Sequence, residues 1–150
     1  VKSWFATIAL LLSVSLPAAA DDLFLTVSRH CNYESAMNEL SFAIAENRCT
    51  LVKIQPVDEG LRHRGYEVSN YKVLFFGDKA QVDQILKDNP QASVIFPLRI
   101  MLYQKGDIVV ASTYRLDMWK GVFGEDLNPL IDKWDRDVRK ILRQYAQQPM

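Results

Sequence analysis

The sequence predicts a single α+β domain in the order β-α-β-β-α-β-β-α, with a mixed sheet and helices packed on one face. Three observations carry that prediction. Short apolar runs of strand length alternate with longer stretches whose apolar residues recur at steps of three and four. Two β-α-β units adjoin β-hairpins, the arrangement that layers helices on one side of a mixed sheet. No repeat, linker or low-complexity segment interrupts residues 21–150, a length that supports one core.

Ahead of that domain, residues 1–20 have the form of a secretory signal peptide. Lys2 opens it, residues 5–16 are apolar, and Pro17-Ala18-Ala19-Ala20 supplies small residues for cleavage after Ala20. The apolar stretch of about 12 residues is short of the roughly 20 that span a bilayer, and there is no lipobox cysteine. The expected location is periplasmic or secreted, with no membrane span in the mature chain.

The first strand is placed at residues 23–28, where apolar and polar residues alternate. Asn32 is suited to cap a helix over residues 33–46, which buries Tyr33, Ala36, Met37, Leu40, Ala43 and Ile44. A second strand covers 50–57 and closes at the turn-like Asp58-Glu59-Gly60. A polar connection over 61–70 leads to a strongly apolar third strand at 71–76.

Asp78-Lys79-Ala80-Gln81 has the D-x-x-Q form of a capping box, and the short helix it starts is stopped by Asn89-Pro90. Strands at 98–104 and 108–114 form a hairpin across Lys105-Gly106-Asp107. Residues 116–123 add a helical turn or two. The last helix, about 129–146, opens with Asn128 as cap and Pro129 at its first position. Its stripe is Leu130, Ile131, Trp134, Val138, Ile141, Leu142 and Tyr145. Its polar face is mixed in sign, which marks a docked surface helix rather than a membrane one.

Lys and Arg number 18, as do Asp and Glu. Lys2 lies in the leader, so the mature chain carries 17 basic against 18 acidic residues, a net charge of −1. Nucleic-acid binding needs a basic surplus to displace counterions, and none exists. At 49% apolar and 24% charged the composition suits a folded domain and not a disordered one.

Two cysteines in an exported chain suggest a disulfide, but Cys31 and Cys49 flank the first helix. A continuous helix holds them about 27 Å apart, against the roughly 7 Å between Cα atoms that a disulfide allows. That leaves buried thiols, a bond between subunits or a reactive thiol at Cys31, with Cys31 expected to be the more accessible and Cys49 buried and inert. His30-Cys31 lies where a strand meets a helix N-terminus, which favours thiolate. If the second strand runs parallel beside the first, its exit carries Arg62, His63 and Arg64 toward Cys31. That would assemble a polar cluster of His30, Cys31, Arg62, His63 and Arg64. Glu59, Arg99 and Tyr103 form a second candidate pocket, with Tyr114 and Arg115 as further polar groups near the sheet. No zinc spacing, nucleophile elbow or glycine-rich phosphate loop is present. No metal or cofactor is expected.

At Tyr71-Lys72-Val73-Leu74-Phe75-Phe76-Gly77-Asp78, followed by Ile95-Phe96-Pro97-Leu98-Arg99-Ile100-Met101-Leu102-Tyr103, the chain resembles the bacterial DUF 302 family over residues 28–114. The resemblance implies a small α+β fold and brings no agreed activity. Many members resemble Cys-Asn-Pro at the strand end and Leu-Pro-Cys at the next strand. Here those positions read Gly77-Asp78-Lys79 and Phe96-Pro97-Leu98, so thiol chemistry tied to that pair does not carry over. Gly77-Asp78 fits better the Gly-Asn-Pro members, which look exported more often.

The function expected is a periplasmic ligand- or partner-binding module without catalysis. The alternative is a thiol-based redox or metal-associated protein using Cys31 with His30 or His63. A homodimer through the open sheet edge or the hairpin, anchored by Trp119 and Phe123, is a third expectation.

Overall fold

A computed structural model describes residues 23–148; the leader read at 1–20 lies outside the described residues. The elements are β1 (Phe24–His30), α1 (Tyr33–Glu46), β2 (Thr50–Pro56), α2 (Val57–Arg62), β3 (Tyr71–Gly77), α3 (Lys79–Asp88), β4 (Leu98–Lys105), β5 (Ile108–Tyr114) and α4 (Asn128–Ala146). Short 3₁₀ turns occupy Pro90–Val94, Asp117–Trp119 and Glu125–Leu127.

The five strands form one sheet in the order β1-β5-β4-β3-β2. Every neighbouring pair is antiparallel. This corrects the mixed sheet expected from two crossovers. The β1-α1-β2 connection carries the chain across the whole sheet, so β1 and β2 run the same way on opposite edges and never pair. The β3-α3-β4 connection goes out and comes back: Phe76 near the end of β3 pairs with Leu98 at the start of β4. A helix inserted into a hairpin reads like a crossover in sequence, because periodicity reports the element and not where its ends return.

Helix α1 matches its predicted bounds and buried stripe, residue for residue. Asn32 caps it, its Oδ1 accepting from the amides of Glu34 (2.9 Å) and Ser35 (3.3 Å). Leu40 and Ile44 are fully buried, each worth about 1.5–3 kcal/mol of burial. At α3 the Asp78 Oδ1 accepts from the Gln81 amide at 3.1 Å, so the cap is real. Asn128 does not cap α4. It is already helical (φ −55°), and its Oδ1 accepts from the Gly121 amide at 2.7 Å, bracing the preceding loop. The segment at 57–62, read as the end of the second strand, a turn and the start of a polar connection, is instead a short helix whose Asp58 is buried.

Register sorts the sheet into two faces. Leu74, Phe76, Ile100, Leu102, Val109 and Ala111 share the face that meets α1 and α4, and they form the core with the helical stripes. On the other face Tyr71, Val73 and Phe75 stand opposite Tyr103, Met101 and Arg99. The guanidinium of Arg99 lies between the rings of Phe75 (6.0 Å) and Tyr114 (5.6 Å). The rings of Trp119 and Phe123 stack at 5.8 Å and pack against the core, which they cap.

Candidate functional site

The chain leaves α1 through a tight reversal. The Arg48 amide donates to the Ala45 carbonyl (3.0 Å) and the Cys49 amide to the Ile44 carbonyl (3.3 Å), the two bonds of a Schellman motif. That motif places Arg48 in the left-handed region at φ 59°, where glycine is the usual occupant and any other residue is strained. Arg48→Gly is expected to raise the unfolding free energy by about 1 kcal/mol, read as a higher urea midpoint at unchanged slope. A lower midpoint would mean that the arginine makes contacts outweighing its backbone strain.

The strained turn forms one wall of a cleft of about 330 Å³ at the end of the sheet where β2 begins and β3 ends. The floor is Cys49, Gly77, Leu98 and Trp134. A Cβ on Gly77 would stand 3.1 Å from Val82 Cγ2, so glycine lets α3 close on the strand end. The opposite wall is α4. Lys133, Asp137 and Lys140 stand four and three residues apart and therefore on one helical stripe. Lys133 pairs with Asp137 at 2.8 Å. The Trp134 indole packs edge-on against Phe96 at 4.0 Å and donates to Gln81 Oε1 at 3.2 Å, which ties α4 to α3 across the cleft.

Cys49 is half-buried and lines this cleft, where a fully buried residue was expected. Burial pushes its thiol pKa up, Asp137 adds to the effect, and Lys133 opposes it. The thiol is therefore protonated at neutral pH and a poor nucleophile. In a Cys31→Ser variant, iodoacetamide should label Cys49 more slowly than free cysteine at pH 8, with a rate that climbs as pH rises further. Labelling as fast as free cysteine would contradict the raised pKa.

Both cysteines are free, as the length of α1 requires. Cys31 is also half-buried. Its surroundings are Arg29 and Tyr145, with the guanidinium 4.8 Å from the ring centre. Arg29 pairs with Glu39 and donates to the Gln148 carbonyl at 3.1 Å. The Tyr145 phenol is pushed up to about 12, mainly by burial and next by Cys31.

The structure does not assemble the predicted cluster. His30 ends β1 and meets Asp107 at 3.1 Å, both exposed. Arg62, His63 and Arg64 leave from α2 beyond β2, at the opposite edge. Four strand spacings, about 19 Å, separate the two edges. Arg62 is held by Asp58 at 2.5 Å, while His63 and Arg64 are exposed. The expected convergence rested on β1 and β2 being neighbours, and they are not.

The second candidate pocket also divides. Glu59 sits on α2, 3.4 Å from Lys72. Arg99 donates to the Val94 carbonyl at 2.8 Å, at the far end of β4 from Tyr103. Tyr103 lines an open hollow with Val68, Tyr71 and Met101. Tyr114 donates to the Ile95 carbonyl at 3.0 Å, and Arg115 pairs with Asp117. Among the described residues, no three His, Cys, Asp or Glu side chains are grouped to hold a metal, and no helix is long and apolar enough to cross a membrane.

A family model described as "Domain of unknown function DUF302" matches residues 25–145, which takes in α4 as well as the sheet. Among curated proteins, none matches. Among solved structures, the chain is similar to one titled "Crystal structure of uncharacterized conserved protein DUF302 from Bacillus stearothermophilus". The TM-score is 0.73 at 14% identity, over 81% of this chain and 97% of that one. That likeness establishes the fold.

Proposed function

The chain belongs to the DUF302 family, and from that premise we propose that it is an exported domain that binds a small polar ligand in the cleft rimmed by Arg48 and performs no chemistry on it. The observation that carries this reading is the cleft itself. Five elements, α1, β3, α3, β4 and α4, converge there, a strained arginine stands at its rim, and side chains of both signs line it. Strain held against the stability of the fold points to a function for the residue that bears it.

The lining lacks an activated nucleophile. Cys49 is the cleft's thiol, its pKa is raised, and no histidine lines the cleft to serve as its base. Export rests on the leader read at residues 1–20 and adds no chemistry of its own.

Thermal unfolding of the purified protein against a panel of amino acids, organic acids, sugars, nucleotides and metal ions tests the reading. A ligand that binds only the native state raises the melting temperature in proportion to the logarithm of its concentration. The expected hit loses its effect in Arg48→Gly and Lys140→Ala. A hit indifferent to both variants, or a panel without hits, overturns the assignment of the cleft.

A further inference from the structure

We infer that the ligand of this cleft is a zwitterion of the α-amino-acid type, either a free amino acid or a dipeptide. The inference rests on the cleft being a ligand site and names what that site selects. Its charges balance: Arg48, Lys133 and Lys140 stand against Glu46, Asp78 and Asp137. Lys133 and Asp137 already pair with each other. Among the described residues, the groups left open to a ligand are therefore two cations on the α1 and α4 rims, Arg48 and Lys140, the carboxylate of Glu46 and one oxygen of Asp78.

A simple anion in this cleft meets Glu46 and Asp78, and a simple cation meets Arg48 and Lys140. Like-charge contacts of that kind cancel the attraction from the other pair. A ligand carrying one carboxylate and one ammonium gains from both pairs together. Arg48 presents a planar fork of donors matched to a carboxylate. Asp78 spends Oδ1 on the Gln81 amide, which leaves Oδ2 to accept from an ammonium.

The floor supplies the rest of the selection. Cys49, with its thiol protonated, stands beside Leu98 and the Trp134 ring, a soft apolar surface suited to an aliphatic side chain. A volume of about 330 Å³ is at the lower end for ligand pockets, which fits one or two residues and excludes a long peptide. No reaction is implied: the ligand enters and leaves unchanged.

The test is isothermal titration of the purified protein with leucine and alanyl-leucine, beside N-acetyl-leucine and leucine amide. The first blocked compound lacks the ammonium and the second lacks the carboxylate. Leucine or alanyl-leucine is expected to bind, and both blocked compounds to bind at least about tenfold more weakly. Asp78→Asn keeps an oxygen that caps α3 and removes the charge, so it should weaken the zwitterion about tenfold while sparing the fold. Arg48→Gly should do the same with an unchanged or higher melting temperature.

Equal binding of the blocked compounds overturns the inference, as does silence from both leucine and alanyl-leucine up to about 10 mM. If those are silent while another compound binds in an Arg48-dependent way, the cleft remains a ligand site and only the zwitterion is lost.

Discussion

Phe76→Ala should lower the unfolding free energy by about 3–5 kcal/mol, the range for deleting a buried ring. Phe76 is wholly buried on β3, with Leu51 of β2 and Leu98 of β4 opposite it. Truncation opens a cavity between sheet and helices that neither neighbouring strand can close, because the backbone ladders on both sides fix their separation. Phe75 supplies the control. It is the next residue and the same side chain, but it faces the helix-free side and is only half-buried under Arg99. Phe75→Ala should cost roughly 1–2 kcal/mol. Urea melts of the two variants, compared by midpoint at constant slope, read the difference directly. Equal costs would mean that the open face is covered by something absent from this single chain.

That contrast between adjacent phenylalanines also marks where sequence reading succeeds. Periodicity located α1 to the residue, because its stripe of Tyr33, Ala36, Met37, Leu40, Ala43 and Ile44 is set by local geometry. The hairpin across Gly106 was legible for the same reason, two strand-length runs joined at a glycine with φ 62°. Strand order was not legible. The partner of β1 is β5, more than eighty residues later in the pairing of Val27 with Ala111, and no local pattern reports so distant a neighbour. The error in sheet order carried directly into the site, since His30 and His63 were expected together only on a parallel β1–β2 pair.

The cleft was illegible for a related reason. It is assembled from the ends of elements, Arg48 after α1, Cys49 before β2, Asp78 before α3, and one polar stripe of α4. Lys133, Asp137 and Lys140 are indistinguishable in sequence from the solvated side of any amphipathic helix. One signal was available. Helix α1 ends without a glycine at the position its reversal requires, and Asn47-Arg48-Cys49 follows instead. A helix that stops without its usual residue is a place to look for a side chain retained for another purpose.

Asp58 is expected to dominate the acid limb of stability. Its side chain is 2% exposed, with Arg62 at 2.5 Å and Lys72 at 3.7 Å. Burial alone would raise its pKa. The amide of Tyr71, the charge of Lys72, the amide of Glu59 and the charge of Arg62 together outweigh burial and hold it below the usual carboxylate range. A folded pKa below the unfolded one, which is about 3.9, means the stabilisation is fully present above that value. It is lost as pH falls below it, through the folded pKa. Asp58→Asn removes the charge and leaves Lys72 and Arg62 to rehydrate, so the loss at pH 7 should sit near the lower end for a broken buried pair, about 3 kcal/mol. The gap between variant and wild type should then narrow as pH drops below about 4. Asp117, held down chiefly by its hydrogen bond from Arg115, is the contrast. Its pair is partly exposed, so added salt should weaken it while leaving the Asp58 contribution nearly intact. Urea melts between pH 2.5 and pH 7, roughly spanning carboxylate titration, decide the matter. A gap that stays constant across that range would place the acid sensitivity of this fold elsewhere than Asp58.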